Sequence, residues 1–144
     1  MATLDQLVRE HGTDVLGHLD KEIDVPVVTG LQHQGDVSVV PVHMTGDPFR
    51  RATAPLPARG TAVVDGALSG GHDHVLHPGF SAAHVLFDPA TPSPQSLALG
   101  LLTVPDGETA YLAHPEHGYS GIGAGTYELR RKREAAEGER LVAD

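Results

Sequence analysis

LALGLLTVPDGETAYLA, residues Leu97 to Ala113, decides how the rest of the chain is read. Two apolar runs flank Pro105-Asp106-Gly107, and turn chemistry of that kind between two such runs predicts an antiparallel hairpin. Side chains alternate along an extended chain, so Leu99, Leu101 and Thr103 are expected to share one face. A helix anywhere in 97–113 would contradict the hairpin and, with it, an all-β reading.

Moving outward, the second arm delivers His114 to its end. A glycine-rich crossing follows over 118–125, then a last strand from Thr126 to Arg133 and a charged tail over 134–144, read as a short helix or as disorder. On the other side, β-branched runs predict strands at Val25–Thr29, at Val37–Val42 with Val37, Val39 and Pro41 on one face, and at Thr61–Asp65. A shorter strand is expected at Ala83–Phe87. Residues 45–60 hold three prolines and two glycines and form a long loop. Leu4, Leu7, Val8, His11, Val15 and Leu19 recur at helical spacing, which predicts a helix over 2–22 with Thr3 as its N-cap. That helix packs either on its own domain or, as an arm, on a neighbour.

Seven or eight short strands without βαβ alternation make the chain mainly β, a small barrel or sandwich with an N-terminal helix. The organisation expected is a helical arm (1–24), a β domain (25–133) and a charged tail (134–144). Its 144 residues suit one domain, and with 4% aromatics and no Trp the core must come from Val, Leu and Ala. There is no cysteine, so disulfides and thiolate sites are excluded and any metal must take nitrogen or oxygen donors. A net charge of −9 argues against a nucleic-acid partner. No leader-like apolar region opens the chain and no apolar run is long enough to span a bilayer, so no membrane partner and a cytoplasmic location are expected.

The chemistry-bearing residues are histidines. GALSGGHDHVLH, Gly66 to His77, carries three of the chain's ten. His72 and His74 leave an extended chain on one face, and His77 joins them if the chain turns at Pro78-Gly79. That arrangement is half of a divalent-metal site. The alternative is a polar, glycine-rich loop. The second group is His114-Pro115-Glu116-His117-Gly118, where Pro115 disfavours a helix. His114 and His117 either converge on the same ion or sit in a turn, hydrogen-bonded to backbone. Glu116 is a candidate ligand, partner to an imidazole, or general base. A joint site uniting His72 and His74 with His114 or His117 follows. The basic run Arg130-Arg131-Lys132-Arg133 reads as a charge-protected edge strand, or else as an anion site or subunit contact. No G-x-S-x-G, P-loop or dinucleotide fingerprint is present.

Gly66-x5-His72-x-His74 resembles the opening of the first cupin motif, and Pro105-x-Gly107 resembles part of the second. The resemblance implies a β-barrel whose histidines ligate a divalent ion together with a Glu and a distant His. Pro78 and Gly79 stand at the Glu positions, and His114 lies further along than the pattern asks. Across most of the chain after residue 30, Gln34-Gly35-Asp36-Val37, Gly71-His72-x-His74, His114-x-Glu116-His117-Gly118, Gly125-x-Tyr127 and the run from Arg130 to Glu134 are similar to a family of small uncharacterised bacterial and phage proteins. That resemblance implies a single β domain. The functional expectation is a small β protein binding a divalent metal through clustered histidines. One alternative is a homo-oligomeric phage or cage component without metal, with the N-terminal helix or the last strand at subunit contacts. The other is a cupin-like metal-dependent enzyme with Glu116 as base.

Overall fold

The computed structural model describes residues 2–15, 23–64, 73–80, 84–91 and 96–132. Its strands are β1 (Val27–Val28), β2 (Gln32–Gln34), β3 (Val37–Pro41), β4 (Thr61–Val64), β5 (His74–Pro78), β6 (Leu86–Pro89), β7 (Ala98–Val104), β8 (Ala110–His114), β9 (Gly118–Ile122) and β10 (Gly125–Arg131). They form two five-stranded sheets, a first of order β1-β9-β8-β5-β4 and a second of order β2-β3-β10-β7-β6. Neither sheet closes on itself, so the fold is a sandwich rather than a barrel.

The core lies between the sheets because alternate residues of each strand are apolar. Val37 and Val39 of β3, Leu102 and Val104 of β7, and Tyr127 and Leu129 of β10 meet Leu76 of β5, Leu112 of β8 and Ile122 of β9. The face expected of Val37, Val39 and Pro41 is thus buried, while Ser38 turns outward to His33.

The hairpin expected at Pro105-Asp106-Gly107 is corrected. The turn forms, with Gly107 at φ +79° and the Glu108 N–H on the Pro105 carbonyl, but it joins strands of opposite sheets. β7 pairs with β10 and β6, whereas β8 pairs with β5 and β9. Turn chemistry reverses the chain; it does not choose the partner. Both arms have an apolar side to bury, and the chain arches over the core to bury each in its own sheet. Leu101 and Thr103 do share a face, the outer one, whereas Leu99, next to a register shift between β7 and β10, packs against the core.

The true hairpin lies one step later. His114 pairs with Gly118, so the glycine-rich crossing is in fact strand β9. Gly121 is needed there because β1 runs alongside: a Cβ would stand 2.6 Å from the Pro26 carbonyl oxygen. β10 is likewise not an edge strand. It sits between β3 and β7, with Glu128 outward against Arg50 and Arg131 inward. The 45–60 loop is tied to β6: Leu56 N–H donates to the Val85 carbonyl, Phe87 N–H to that of Ala54, and the Asp88 carboxylate accepts from Thr53 and Ala54. Those backbone donors, Ala54 first, hold the Asp88 carboxyl below its usual range.

The helix is shorter than expected. α1 covers Leu4–His11, opened by a Thr3–Gln6 capping box and closed by Gly12 at φ +80°, whose N–H reaches the Val8 carbonyl. Residues 16–22 lie outside the described segments. α1 lays Leu4 and Leu7 on the outer face of the first sheet, against Tyr111, Ala113 and Tyr119. It therefore packs on its own domain. The apolar stripe of α1 is thus covered by the chain's own sheet, and β10 lies inside its sheet rather than at an edge. Among the described residues no helix is long and apolar enough to cross a membrane.

Leu7 is fully buried under the helix. Leu7→Ala should therefore cost about 2–5 kcal/mol in urea unfolding. A loss within about 0.5 kcal/mol, as for an exposed site, would mean that α1 is not docked.

Candidate functional site

At one end of the sandwich, inward positions that would carry apolar side chains carry polar ones. Gln34 ends β2, and the Gly35-Asp36 turn, with Gly35 at φ +56°, leads into β3. The Gln34 amide reaches across to the first sheet. Its nitrogen donates to the carbonyls of Leu112 (2.8 Å) and Gly118 (3.2 Å) and to Ser120 Oγ (3.0 Å). Its oxygen lies 3.0 Å from Nδ1 of His74, the first residue of β5. The other nitrogen of His74, Nε2, stands 3.4 Å from Asp36 Oδ1, and Arg131 Nη2 stands 3.6 Å from Oδ2. The His74 and Asp36 side chains are both fully buried. Among the described residues neither Asp36 oxygen takes a hydrogen bond.

His114 ends β8 beside them. Its Nδ1 accepts the backbone N–H groups of Glu116 (3.0 Å) and His117 (3.3 Å), so the turn reading of this motif holds for His114. Gly118, at φ +78°, completes the tight return. The His74 and His114 rings are 4.3 Å apart, those of His114 and His117 4.6 Å, and those of His74 and His117 6.2 Å. Glu116 and His117 are exposed, at the mouth of this buried group.

The two histidine segments thus meet, as the sequence implied, through His74, His114 and His117. His72 lies outside the described residues. His77 is a correction. β5 stays extended through Pro78, so three residues on from His74 the side chain emerges on the opposite face. Among the described residues no three His, Asp or Glu side chains already form a metal cage. Gln34, Asp36 and Arg131 were not singled out as site residues. The available signal was parity: Gln34 lies on the buried side of its strand, and Arg131 continues the inward row of Tyr127 and Leu129.

His77 belongs to a second cluster beneath α1. Its ring stacks on His11 at 4.5 Å, and its Nε2 lies 3.0 Å from Thr13 Oγ1. Tyr119 donates its hydroxyl to the Thr13 carbonyl. Burial pushes the His77 imidazole down to about 4, helped by the nearby His11, and burial lowers His11 too, against the pull of Glu10. Tyr119 is raised to about 12, again chiefly by burial. These groups latch the end of α1 to the sheet.

The chain belongs to a family described as a domain of unknown function (DUF8820), whose model matches residues 33–132. No curated protein and no solved structure matches it.

The His77 latch has a pH signature. Between pH 6.5 and about 4 the unfolded chain takes a proton that the folded protein refuses. The His77 contribution to stability should therefore shrink as the pH drops through that window, by at most about 3 kcal/mol, and change no further below it. His77→Phe should remove most of this slope in unfolding measured from pH 7 to 4. An unchanged slope would place the titrating group elsewhere.

Proposed function

We propose that this member of the DUF8820 family binds a divalent cation between His74 and Asp36, with His117 at the mouth of the site. The observation that carries the reading is the 3.4 Å separation of His74 Nε2 and Asp36 Oδ1. Two donors each about 2.1 Å from one metal stand about 3.4 Å apart at the tetrahedral angle. A direct charge-assisted hydrogen bond would draw them to about 2.7–2.9 Å. A buried carboxylate short of hydrogen bonds is costly, and a cation on Oδ1 relieves that cost.

The donor set, imidazole and carboxylate without thiolate, suits zinc and similar first-row ions. Arg131 beside Oδ2 offsets part of the carboxylate charge and so moderates the affinity. His117, whose ring lies 6.2 Å from that of His74, is the candidate for a further position. Glu116 lies on the exposed turn rather than against the buried pair, which favours binding over a hydrolytic or cupin-like role.

Untagged, chelator-stripped protein titrated with Zn²⁺ by calorimetry, and with Co²⁺ by its visible absorption, should bind one ion per chain. His74→Gln and Asp36→Asn should weaken binding at least about 10-fold while retaining cooperative unfolding. His43→Ala and His84→Ala, which alter other histidines, should leave it unchanged. No saturable binding, or binding indifferent to His74→Gln, would overturn the proposal.

A further inference from the structure

We infer that Gln34 is a positioning residue: it locks His74 as the Nδ1–H tautomer, while the turn after β8 locks His114 as the opposite, Nε2–H tautomer. The functional meaning of this assignment rests on the cation reading above, but the protonation pattern itself belongs to the metal-free protein.

What each group can donate or accept fixes the proton positions. Carbonyl oxygens only accept, so the end of Gln34 that meets the Leu112 and Gly118 carbonyls must be its nitrogen. Its oxygen then faces His74 Nδ1 at 3.0 Å and can only accept, so Nδ1 carries a proton. In a neutral ring the lone pair falls on Nε2, which faces Asp36 Oδ1. Metal-ligating histidines characteristically donate their other N–H to such an oxygen.

His114 is arranged the other way round. Backbone N–H groups only donate, so its Nδ1, reached by those of Glu116 and His117, holds the lone pair and the proton of the neutral ring sits on Nε2. Two imidazoles 4.3 Å apart are thereby given different work. His74 turns a lone pair toward Asp36, whereas His114 offers a proton and stays outside the ligand set for as long as the 115–117 turn is intact. Among the described histidines, the set suggested by the sequence narrows to His74, with His117 as helper.

Long-range ¹H–¹⁵N spectra of the metal-free, ¹⁵N-labelled protein near pH 7.5 read tautomers directly. Signals are assigned by their loss in His74→Gln and His114→Gln. The wild type should show Nδ1–H for His74, against the Nε2–H form that imidazoles in water prefer, and Nε2–H for His114. Gln34→Leu should return His74 toward Nε2–H and weaken Co²⁺ binding at least about 10-fold. An Nε2–H His74 in the wild type overturns the inference, as does a Gln34→Leu protein that folds and keeps the Nδ1–H form. Should Gln34→Leu not fold, the wild-type spectrum still decides. A correct tautomer pattern with no metal uptake would sink the cation reading and leave this one standing.

Discussion

The amide of Gln34 is the constraint on which the open end of the sandwich depends. Apolar side chains hold the two sheets face to face, but they do so without direction. Gln34 adds direction. Rooted in the second sheet, it donates to the backbone of β8 at Leu112 and to Gly118 and Ser120 of β9, and it meets His74 of β5 as well. Three strands of the first sheet are thus referenced to one side chain of the second. The Gly35-Asp36 turn that follows then delivers the Asp36 carboxylate to the other side of the same imidazole. The buried polar cluster is costly unless each member is answered, and among the described residues neither oxygen of Asp36 takes a hydrogen bond.

Strand β5 shows how one short sequence serves two purposes. His74 and His77 lie three positions apart, an odd step, so they leave opposite faces. The inner one enters the polar end of the sandwich. The outer one stacks under α1, where burial keeps it uncharged and where, with Thr13 and Tyr119, it fastens the helix. A histidine-rich run is therefore not one site but two environments divided by a sheet.

Much of this was legible from the residues. Period-2 alternation placed β3 and its inward face, the Thr3 cap began the helix, and the meeting of His74 with the 114–118 motif followed from their shared chemistry. What was not legible is what strand pairing decides. Pro105-Asp106-Gly107 carries good turn chemistry, yet nothing in those three residues says whether the chain returns in its own sheet or crosses to the other. Gly118–Ile122 reads as a crossing because glycines are poor strand formers, but β1 lies too close for a side chain at Gly121. Arg131 looked like one of several solvated charges, and only its register opposite Val37 in the centre of the sheet turns it inward to Asp36.

The central claim is that His74 and Asp36 flank a cation rather than merely each other. Anomalous scattering at the zinc edge, from crystals of the full chain grown with Zn²⁺, tests it most directly. The account predicts one strong peak within about 2.0–2.2 Å of both His74 Nε2 and Asp36 Oδ1. A site empty of anomalous signal, with zinc found only on exposed histidines such as His43 or His84, would contradict it.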